Sequence, residues 1–149
     1  MTDEEYMRLA LAEAEQAGRE GEIPIGAVLV YRDAVIAADH NRRETDLDPT
    51  AHAEVLVLRR GALRLSRWRL TECTLYVTIE PCAMCAGAIM NARVSRLVYG
   101  AADVREGGVD SRFHICEGAV MNHRLAVRSG VLAGECGGMV ERFFLTHRR

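Results

Sequence analysis

Two cysteines, Cys82 and Cys85, are the first residues in this sequence whose type and spacing could do chemistry. They follow Pro81, and a spacing of three residues places both sulfurs on the same face of a helix. The positive N-terminal end of a helix stabilises thiolates, which are the form of cysteine that binds metal ions. A Cys-x-x-Cys pair also occurs as a redox dithiol, so the pair alone leaves a metal site and a redox site open.

A histidine at a second predicted helix start favours the metal site. His52 lies just ahead of an apolar helical pattern, and two helix N-termini that meet would bring His52, Cys82 and Cys85 together. Structural zinc sites are closed by four protein ligands, whereas catalytic sites keep three and leave a position for water. No fourth His or Cys stands at a plausible ligand spacing nearby. The three residues therefore predict a catalytic zinc ion, one per chain.

Glu54 is the candidate for moving protons, because it follows His52 by two positions in the same predicted helix start. Alone, a histidine at a helix start is commonly a cap, and a glutamate in a first turn commonly just complements the helix dipole. The conjunction of His-x-Glu with Glu-Pro-Cys-x-x-Cys instead favours a zinc-dependent hydrolase with a carboxylate as its acid–base group. The other cysteines, Cys73, Cys116 and Cys136, are interpreted as small buried apolar residues.

The elements that must position these residues alternate between helix and strand. The patterns predict helices from Thr2 to about Arg19, from Thr50 or His52 to about Leu65, from Pro81 to about Arg93 and from Leu132 to Leu145. They predict strands over Ile23–Tyr31, Ala34–Ala38, Thr74–Ile79, Arg96–Tyr99 and Leu125–Arg128. Pro81 is expected in the first turn of its helix, and residues 41–49 and 103–118 are expected to be loops. Alternation of this kind predicts an α/β layered domain with a mixed sheet.

Length and composition limit the class of protein. The 149 residues fit a single domain, 1–149, and 49% of them are hydrophobic, which is enough for a core. No apolar run of about 18 residues and no basic-then-apolar leader is present, which predicts a cytoplasmic protein without a membrane partner. The net charge is −2, and all 19 basic residues are arginine. This balance is not that of a general nucleic-acid binder.

The motifs resemble a known family. His-x-Glu followed by Pro-Cys-x-x-Cys is similar to the signature of zinc-dependent nucleobase deaminases, which cytidine, deoxycytidylate, guanine and riboflavin-pathway deaminases share. Nearly the whole chain further resembles bacterial tRNA-specific adenosine deaminases. The segments that carry this resemblance are Ile23–Val28, His40–Arg42, Asp48–Glu54, Trp68–Leu70, Thr74–Ala88, Val98–Ala101, Met121–Arg124, Gly130–Leu132 and the Phe143-Phe144 ending.

The resemblance implies a fold, a reaction and an assembly. The fold is a cytidine-deaminase-like, three-layer α/β/α sandwich with a five-stranded mixed sheet. The reaction is hydrolytic deamination of adenosine to inosine at the wobble position of a tRNA anticodon stem-loop. The family acts as a homodimer whose subunits jointly shape the active sites. Residues Ala86–Met90 are small and apolar, which fits a dimer surface and fits core packing equally well.

The resemblance also implies residue roles. By this resemblance, Zn²⁺ is bound by His52, Cys82 and Cys85, and protons are shuttled by Glu54. The flipped base is contacted by Asn41 and Ile25. The anticodon-loop backbone or neighbouring nucleotides are contacted by Asp103 and Arg105, and adjacent bases by Phe144 and Arg148. The family has a lysine and small residues after the position of Asp103. This chain differs there, and Glu106 and Asp110 add negative charge where RNA would approach.

Three other functions compete with this interpretation. A deaminase of a free base or nucleoside, of the guanine or cytosine type, would act on small substrates without an RNA surface. A noncatalytic zinc- or RNA-binding subunit would have no need of Glu54. A redox protein would be free of zinc and would form a disulfide between Cys82 and Cys85.

Overall fold

Helices and strands alternate along the chain in the structure, a computed structural model that describes residues 1–118 and 122–147. The helices in these ranges are α1 (Asp3–Arg19), α2 (Ala53–Leu65), α3 (Ala83–Asn91) and α4 (Ala133–Thr146). The strands are β1 (Gly26–Tyr31), β2 (Ala34–His40), β3 (Cys73–Ile79), β4 (Arg96–Ala101) and β5 (Ala126–Arg128). None of the described helices is long and apolar enough to cross a bilayer. The predicted α/β alternation is therefore confirmed.

The strands form one mixed sheet in the order β2–β1–β3–β4–β5. Strand β1 runs antiparallel to both β2 and β3, whereas β3, β4 and β5 are parallel to one another. Arg32 and Asp33 form the tight turn between β1 and β2, and both have positive φ, as a type I′ hairpin requires. The central position of β1 explains its nearly continuous apolar sequence, because both of its faces are covered.

Helices cover both faces of this sheet. On one face, α1 and α4 form a core with the strands that includes Met7, Val98 and Cys136. On the other face, α2 and α3 pack against the sheet through residues such as Val57 and Ile89. The layers are therefore helix, sheet and helix, which confirms the expected three-layer sandwich.

Two boundaries differ from the sequence-based expectation. Strand β1 begins at Gly26 and not at Ile23, because the chain turns tightly just before it, where the Ile25 nitrogen donates to the Ile23 carbonyl at 2.8 Å. The placement of Pro81 in the first turn of α3 is wrong. Cys82 is the N-cap, with extended backbone at φ −70° and ψ 176°, so Pro81 lies before the helix.

The topology brings the N-termini of α2 and α3 together. Strand β3 ends at Ile79 and leads through Glu80 and Pro81 into α3, which returns the chain to the parallel strand β4. Helix α2 packs beside α3 on the same face of the sheet. Ligand sites in α/β proteins commonly lie at the carboxyl ends of the strands, and His52, Cys82 and Cys85 meet at this end of the sheet.

Candidate active site

His52 is placed by the start of α2. It is the N-cap residue, with extended backbone at φ −76° and ψ 151°, and its side chain makes no capping hydrogen bond. The loop before it is held by Asp48, whose carboxylate accepts hydrogen bonds from the Thr50 nitrogen and hydroxyl, both at 2.8 Å. The half-buried imidazole is therefore not used to cap its own helix, and its Nδ1 atom lies near Cys82 and Cys85.

Cys82 and Cys85 are placed by the start of α3, as N-cap and as third helical residue. The His52 Nδ1 atom lies 3.6 Å from the Cys82 Sγ and 3.5 Å from the Cys85 Sγ. The hydrogen bond from the Cys85 thiol lowers the pKa of Cys82 to about 4, against an opposing effect of burial, and the bond to His52 lowers it further. The same thiol–thiol hydrogen bond, together with burial, raises the pKa of Cys85. One thiolate is therefore stabilised at neutral pH before any metal binds.

The three ligand atoms fit a zinc ion. They all lie within 4.8 Å of one another. Zinc–sulfur bonds of about 2.3 Å and a zinc–nitrogen bond of about 2.0 Å in a tetrahedral arrangement imply a sulfur–nitrogen separation of about 3.5 Å. The two observed sulfur–nitrogen distances, 3.6 and 3.5 Å, agree with that separation. The donor set of two sulfurs and one imidazole nitrogen is also one that zinc accepts.

Glu54 lies in the first turn of α2, immediately behind these ligands. Its side chain is buried, with 4% of the residue exposed. Burial raises the pKa of Glu54 to about 7, and the nearby Cys82 thiolate also raises it, against the lowering effects of His52 and of a hydrogen bond from Cys85. A carboxyl group with this pKa both accepts and releases a proton near neutral pH, as general acid–base catalysis requires.

Asn41 and Ile25 lie on segments tied to the His52 loop. Asn41 is buried at the end of β2, and its backbone nitrogen donates to the Ile25 carbonyl at 3.0 Å. The next residue, Arg42, donates from its nitrogen to the Ala51 carbonyl at 3.0 Å. These bonds connect both predicted base-binding residues to the segment that carries His52.

Asp103 and Arg105 lie on the long loop after β4, as predicted. The Asp103 carboxylate accepts hydrogen bonds from the nitrogens of Arg105 and Glu106, both at 3.1 Å, so this side chain shapes its own loop. Arg105 is exposed. The loop reaches the metal ligands through a β-bridge between Gly107 and Cys82. Contact of either residue with RNA stays a prediction.

Of the last two predicted contact residues, the structure describes Phe144, which lies in the other helical layer. Phe144 lies on α4, is 40% exposed and packs edge-on against Phe143, with ring centroids 5.6 Å apart. Arg148 lies outside the described residues. The structure therefore does not group Phe144 with His52, Cys82 and Cys85.

Two buried glutamates beside the site were given no role by the sequence analysis. Glu22 is 1% exposed and accepts hydrogen bonds from the nitrogens of Glu44, at 3.2 Å, and Thr45, at 2.6 Å, in the loop before His52. Glu80 is 2% exposed and holds the loop after β4. Glu80 could have been noticed in the sequence, because it is a charged residue at the end of a buried strand, two positions before Cys82.

Comparison with known proteins agrees with this geometry. Residues 1–134 match the MafB19-like deaminase family. The tRNA-specific adenosine deaminase of Haemophilus influenzae is 51% identical over 148 residues, which cover 98% of this chain and 85% of that protein. A solved structure from a study of A-to-I editing by tRNA:A34 deaminases at the wobble position superposes with a TM-score of 0.87 at 44% identity, covering 91% of this chain and 98% of that one.

A guanine deaminase from Bacillus subtilis is also similar, but over less of the molecule. Its solved structure superposes with a TM-score of 0.66 at 40% identity and covers 68% of this chain and 66% of that one. The similarity to tRNA-specific adenosine deaminases extends over nearly the full length and is higher in identity. This chain therefore belongs to the MafB19-like deaminase family and, within it, to the tRNA-specific adenosine deaminases.

Proposed function

We propose that this protein converts adenosine to inosine at the wobble position of a tRNA anticodon, releasing ammonia, with one zinc ion held by His52, Cys82 and Cys85. The observation that carries the proposal is the buried Glu54 carboxyl behind a three-ligand cluster in a chain 51% identical to a tRNA-specific adenosine deaminase. Three protein ligands leave the fourth position of a zinc ion to water, which is the arrangement of catalytic sites.

Glu54 performs the proton transfers in this mechanism. A zinc ion held by His52, Cys82 and Cys85 would supply the nucleophile, because bound zinc lowers the pKa of water toward neutrality. The Glu54 carboxylate takes up the proton that the water loses and delivers it to N1 of adenine, which prepares C6 for attack. After the hydroxide has added to C6, Glu54 takes the remaining proton from the new C6 hydroxyl and passes it to the amino group, which leaves as ammonia while the C6 carbonyl of inosine forms. A pKa of about 7 suits both steps, because the group is neither fully ionised nor fully protonated at neutral pH.

The substrate is a base that leaves its stack easily. A base in a single-stranded loop unstacks at lower cost than one in a duplex, and an anticodon loop is single-stranded. We assign Asn41 to a hydrogen bond with the adenine and Ile25 to packing beside it. Asp103 and Arg105 meet the loop backbone, and Phe144 and Arg148 meet adjacent bases. Local contacts of this kind are compatible with a net charge of −2.

We further propose that the protein acts as a homodimer in the cytoplasm, where its tRNA substrate is found. A largely apolar groove between α2 and α3 is lined by residues that include Val55, Trp68 and Ala88. Trp68 is 56% exposed, which is unusual for so large an apolar side chain. Within residues 86–90, Ala86, Ile89 and Met90 are core residues, so the surface available to a partner comes from Gly87 and Ala88.

A deaminase of free guanine is the second candidate, because a guanine deaminase shares the fold at 40% identity over part of the chain. One experiment separates the candidates. The zinc-loaded protein is incubated with an anticodon stem-loop that carries a wobble adenosine, and in parallel with guanine, cytosine and adenosine. We expect inosine at the wobble position, read by reverse transcription, and no ammonia from the small substrates. Release of ammonia from guanine with an unchanged stem-loop would support the second candidate instead.

A further inference from the structure

A single buried carboxylate holds together the loop beside the metal ligands. Glu80 lies at the carboxyl end of β3 and is 2% exposed. Its two oxygens accept five hydrogen bonds from the segment 103–111: from the nitrogens of Asp103 at 3.1 Å, Val109 at 3.2 Å, Asp110 at 2.8 Å and Ser111 at 3.0 Å, and from the Ser111 hydroxyl at 2.5 Å. One side chain therefore ties both ends of this segment to the strand that leads into the metal site.

The segment closes onto Glu80 without room for further atoms. A Cβ added at Gly107 would lie 2.5 Å from the Glu80 carboxyl carbon. A Cβ added at Gly108 would lie 2.8 Å from the backbone of Ala83 in α3. The Gly108 nitrogen also donates to the Pro81 carbonyl at 2.7 Å. Two adjacent glycines thus let the loop pack against both the carboxylate and the start of α3.

The same segment carries the residues assigned above to the RNA backbone. The Asp103 nitrogen donates to Glu80, and the Asp103 carboxylate in turn accepts from the Arg105 nitrogen at 3.1 Å. A continuous series of hydrogen bonds therefore runs from the strand end to the exposed Arg105. At the other end of the segment, the Asp110 carboxylate accepts a hydrogen bond from the Tyr99 hydroxyl of β4.

We infer that Glu80 is a positioning residue for RNA binding: it holds the segment 103–111 in the shape that presents Arg105 to the anticodon loop. This inference rests on the proposed function. Glu80 does not touch the substrate, and its charge opposes RNA, so its contribution comes entirely from the five hydrogen bonds to the segment. Packing alone would not require a carboxylate at this buried position, because an uncharged side chain costs less to bury.

The test compares two glutamate-to-glutamine variants that change the net charge equally. Glu80→Gln keeps the size of the side chain but replaces one acceptor oxygen with a donor that faces backbone N–H groups. Glu106→Gln is the control, because Glu106 lies on the exposed side of the same loop. Each protein is measured for zinc content, for kcat and KM on the wobble-adenosine stem-loop, for stem-loop affinity, and for amide hydrogen exchange over the segment 103–111.

For Glu80→Gln we expect faster exchange in the segment and unchanged zinc content. We expect KM to rise by roughly ten- to a hundredfold, the scale on which lost positioning weakens a site, with a smaller change in kcat. For Glu106→Gln we expect KM to stay the same or fall, since a negative charge near RNA is removed. Ser111→Ala removes one of the five hydrogen bonds and should raise KM by a smaller factor than Glu80→Gln does. This variant tests the inference if Glu80→Gln does not fold.

Several outcomes would overturn the inference. Unchanged exchange and KM in Glu80→Gln and Ser111→Ala would show that the segment does not depend on the carboxylate. A loss of zinc and kcat at constant KM would show that Glu80 supports the metal ligands and not RNA binding. Equal changes in KM for Glu80→Gln and Glu106→Gln would show that Glu80 acts only through its charge and not through its hydrogen bonds. A wild-type protein that binds the stem-loop but forms no inosine would refute the proposed function. In that case the stem-loop affinity and the amide hydrogen exchange of the variants would still decide the role of Glu80.

Discussion

Burial raises the pKa of the cysteines of this protein, but at Cys82 hydrogen bonds outweigh it. It raises the pKa of Cys116 to about 11 and that of Cys136 to about 12, so both remain thiols at neutral pH. At Cys82 the hydrogen bonds from Cys85 and His52 outweigh burial and lower the pKa to about 4. Metal ions bind thiolates, so this difference favours Cys82 over Cys116 and Cys136 as a metal ligand, and Cys85 joins it through its position near His52.

Removing one sulfur from the cluster should therefore remove the metal. In Cys82→Ala, we expect zinc measured by mass spectrometry to fall from one ion per chain to near zero and activity to disappear with it, because two ligands remain. Cys116→Ala is the matched control, since it also removes a buried thiol, and it should keep its zinc. Full zinc occupancy in Cys82→Ala would refute the assignment of this residue as a ligand.

At the level of elements, the positions that sequence patterns predicted well are those set by local chemistry. The predicted helix start at Thr2 is confirmed by an N-cap bond, in which the Glu5 nitrogen donates to the Thr2 hydroxyl at 3.1 Å. The two-residue gap between the predicted strands Ile23–Tyr31 and Ala34–Ala38 is a tight hairpin turn at Arg32 and Asp33, and tight turns depend on adjacent residues.

The features that sequence patterns missed depend on contacts between distant residues. Glu80 bonds to residues 23 to 31 positions later, and no periodicity reports such contacts. The start of β1 was placed too early because Ile23 and Ile25 continue the apolar run of the strand, although the chain turns there, with the Ile25 nitrogen donating to the Ile23 carbonyl at 2.8 Å. The proximity of His52, Cys82 and Cys85, by contrast, could be predicted, because each lies at a helix start that the sequence marks.

An ion cluster joins α1 to the far strands of the sheet. The Asp3 carboxylate accepts hydrogen bonds from Arg96 at 2.8 and 2.6 Å and from Arg128 at 2.6 Å, and from the Tyr76 hydroxyl at 2.7 Å. The Asp3 side chain is 12% exposed. The hydrogen bond from Arg96 is the main cause that holds the pKa of Asp3 well below its usual range, with Tyr76 and Arg128 contributing against the opposing effect of burial.

Replacing Asp3 should cost stability in a pH-dependent way. At pH 7 we expect Asp3→Asn to lower the free energy of unfolding by about 1–3 kcal/mol, the range for hydrogen bonds to a charged group. Because the pKa is lowered by folding, the ionised form stabilises the fold above the ordinary carboxyl value of about 3.9, and that stabilisation is lost as the pH falls below it. The gap between wild type and variant in urea unfolding should therefore be full at pH 7 and smaller at pH 4.

Glu15→Gln is the control for this prediction. Glu15 pairs with Arg19 at 3.0 Å, but both side chains are more than 60% exposed, so its loss should cost less than about 0.5 kcal/mol. An Asp3→Asn variant as stable as wild type at pH 7, or a gap that widens in acid, would contradict the role given to the cluster.

At the level of the whole molecule, the groove between α2 and α3 is the surface proposed for the dimer. Ala88→Glu places a charge in the groove and should convert the protein to a 16.5 kDa monomer in sedimentation at micromolar concentration. Ala12→Glu adds the same charge on the exposed surface of α1 and should leave the dimer intact. A wild-type protein that sediments as a monomer would refute the homodimer, and dissociation by Ala12→Glu would place the interface elsewhere.

The proposed reaction requires a metal ion, a proton carrier and an RNA-binding surface. The variant Glu54→Ala should remove the proton carrier while leaving metal binding and RNA binding in place. Glu54 is not a metal ligand, so the variant should keep its zinc and its affinity for the stem-loop. A general acid–base residue contributes about 10²–10⁴ in rate, and Glu54 acts in both attack and departure, so the loss should reach the upper end of that range or exceed it.

The most direct test of the account is therefore inosine formation by Glu54→Ala in a single turnover, with zinc content and RNA affinity measured on the same preparation. We expect the rate on a wobble-adenosine stem-loop to fall by about 10⁴-fold or more while the other two measurements match wild type. A variant that retains more than about a tenth of the wild-type rate, far short of the loss expected for an acid–base residue, would show that another group transfers the protons.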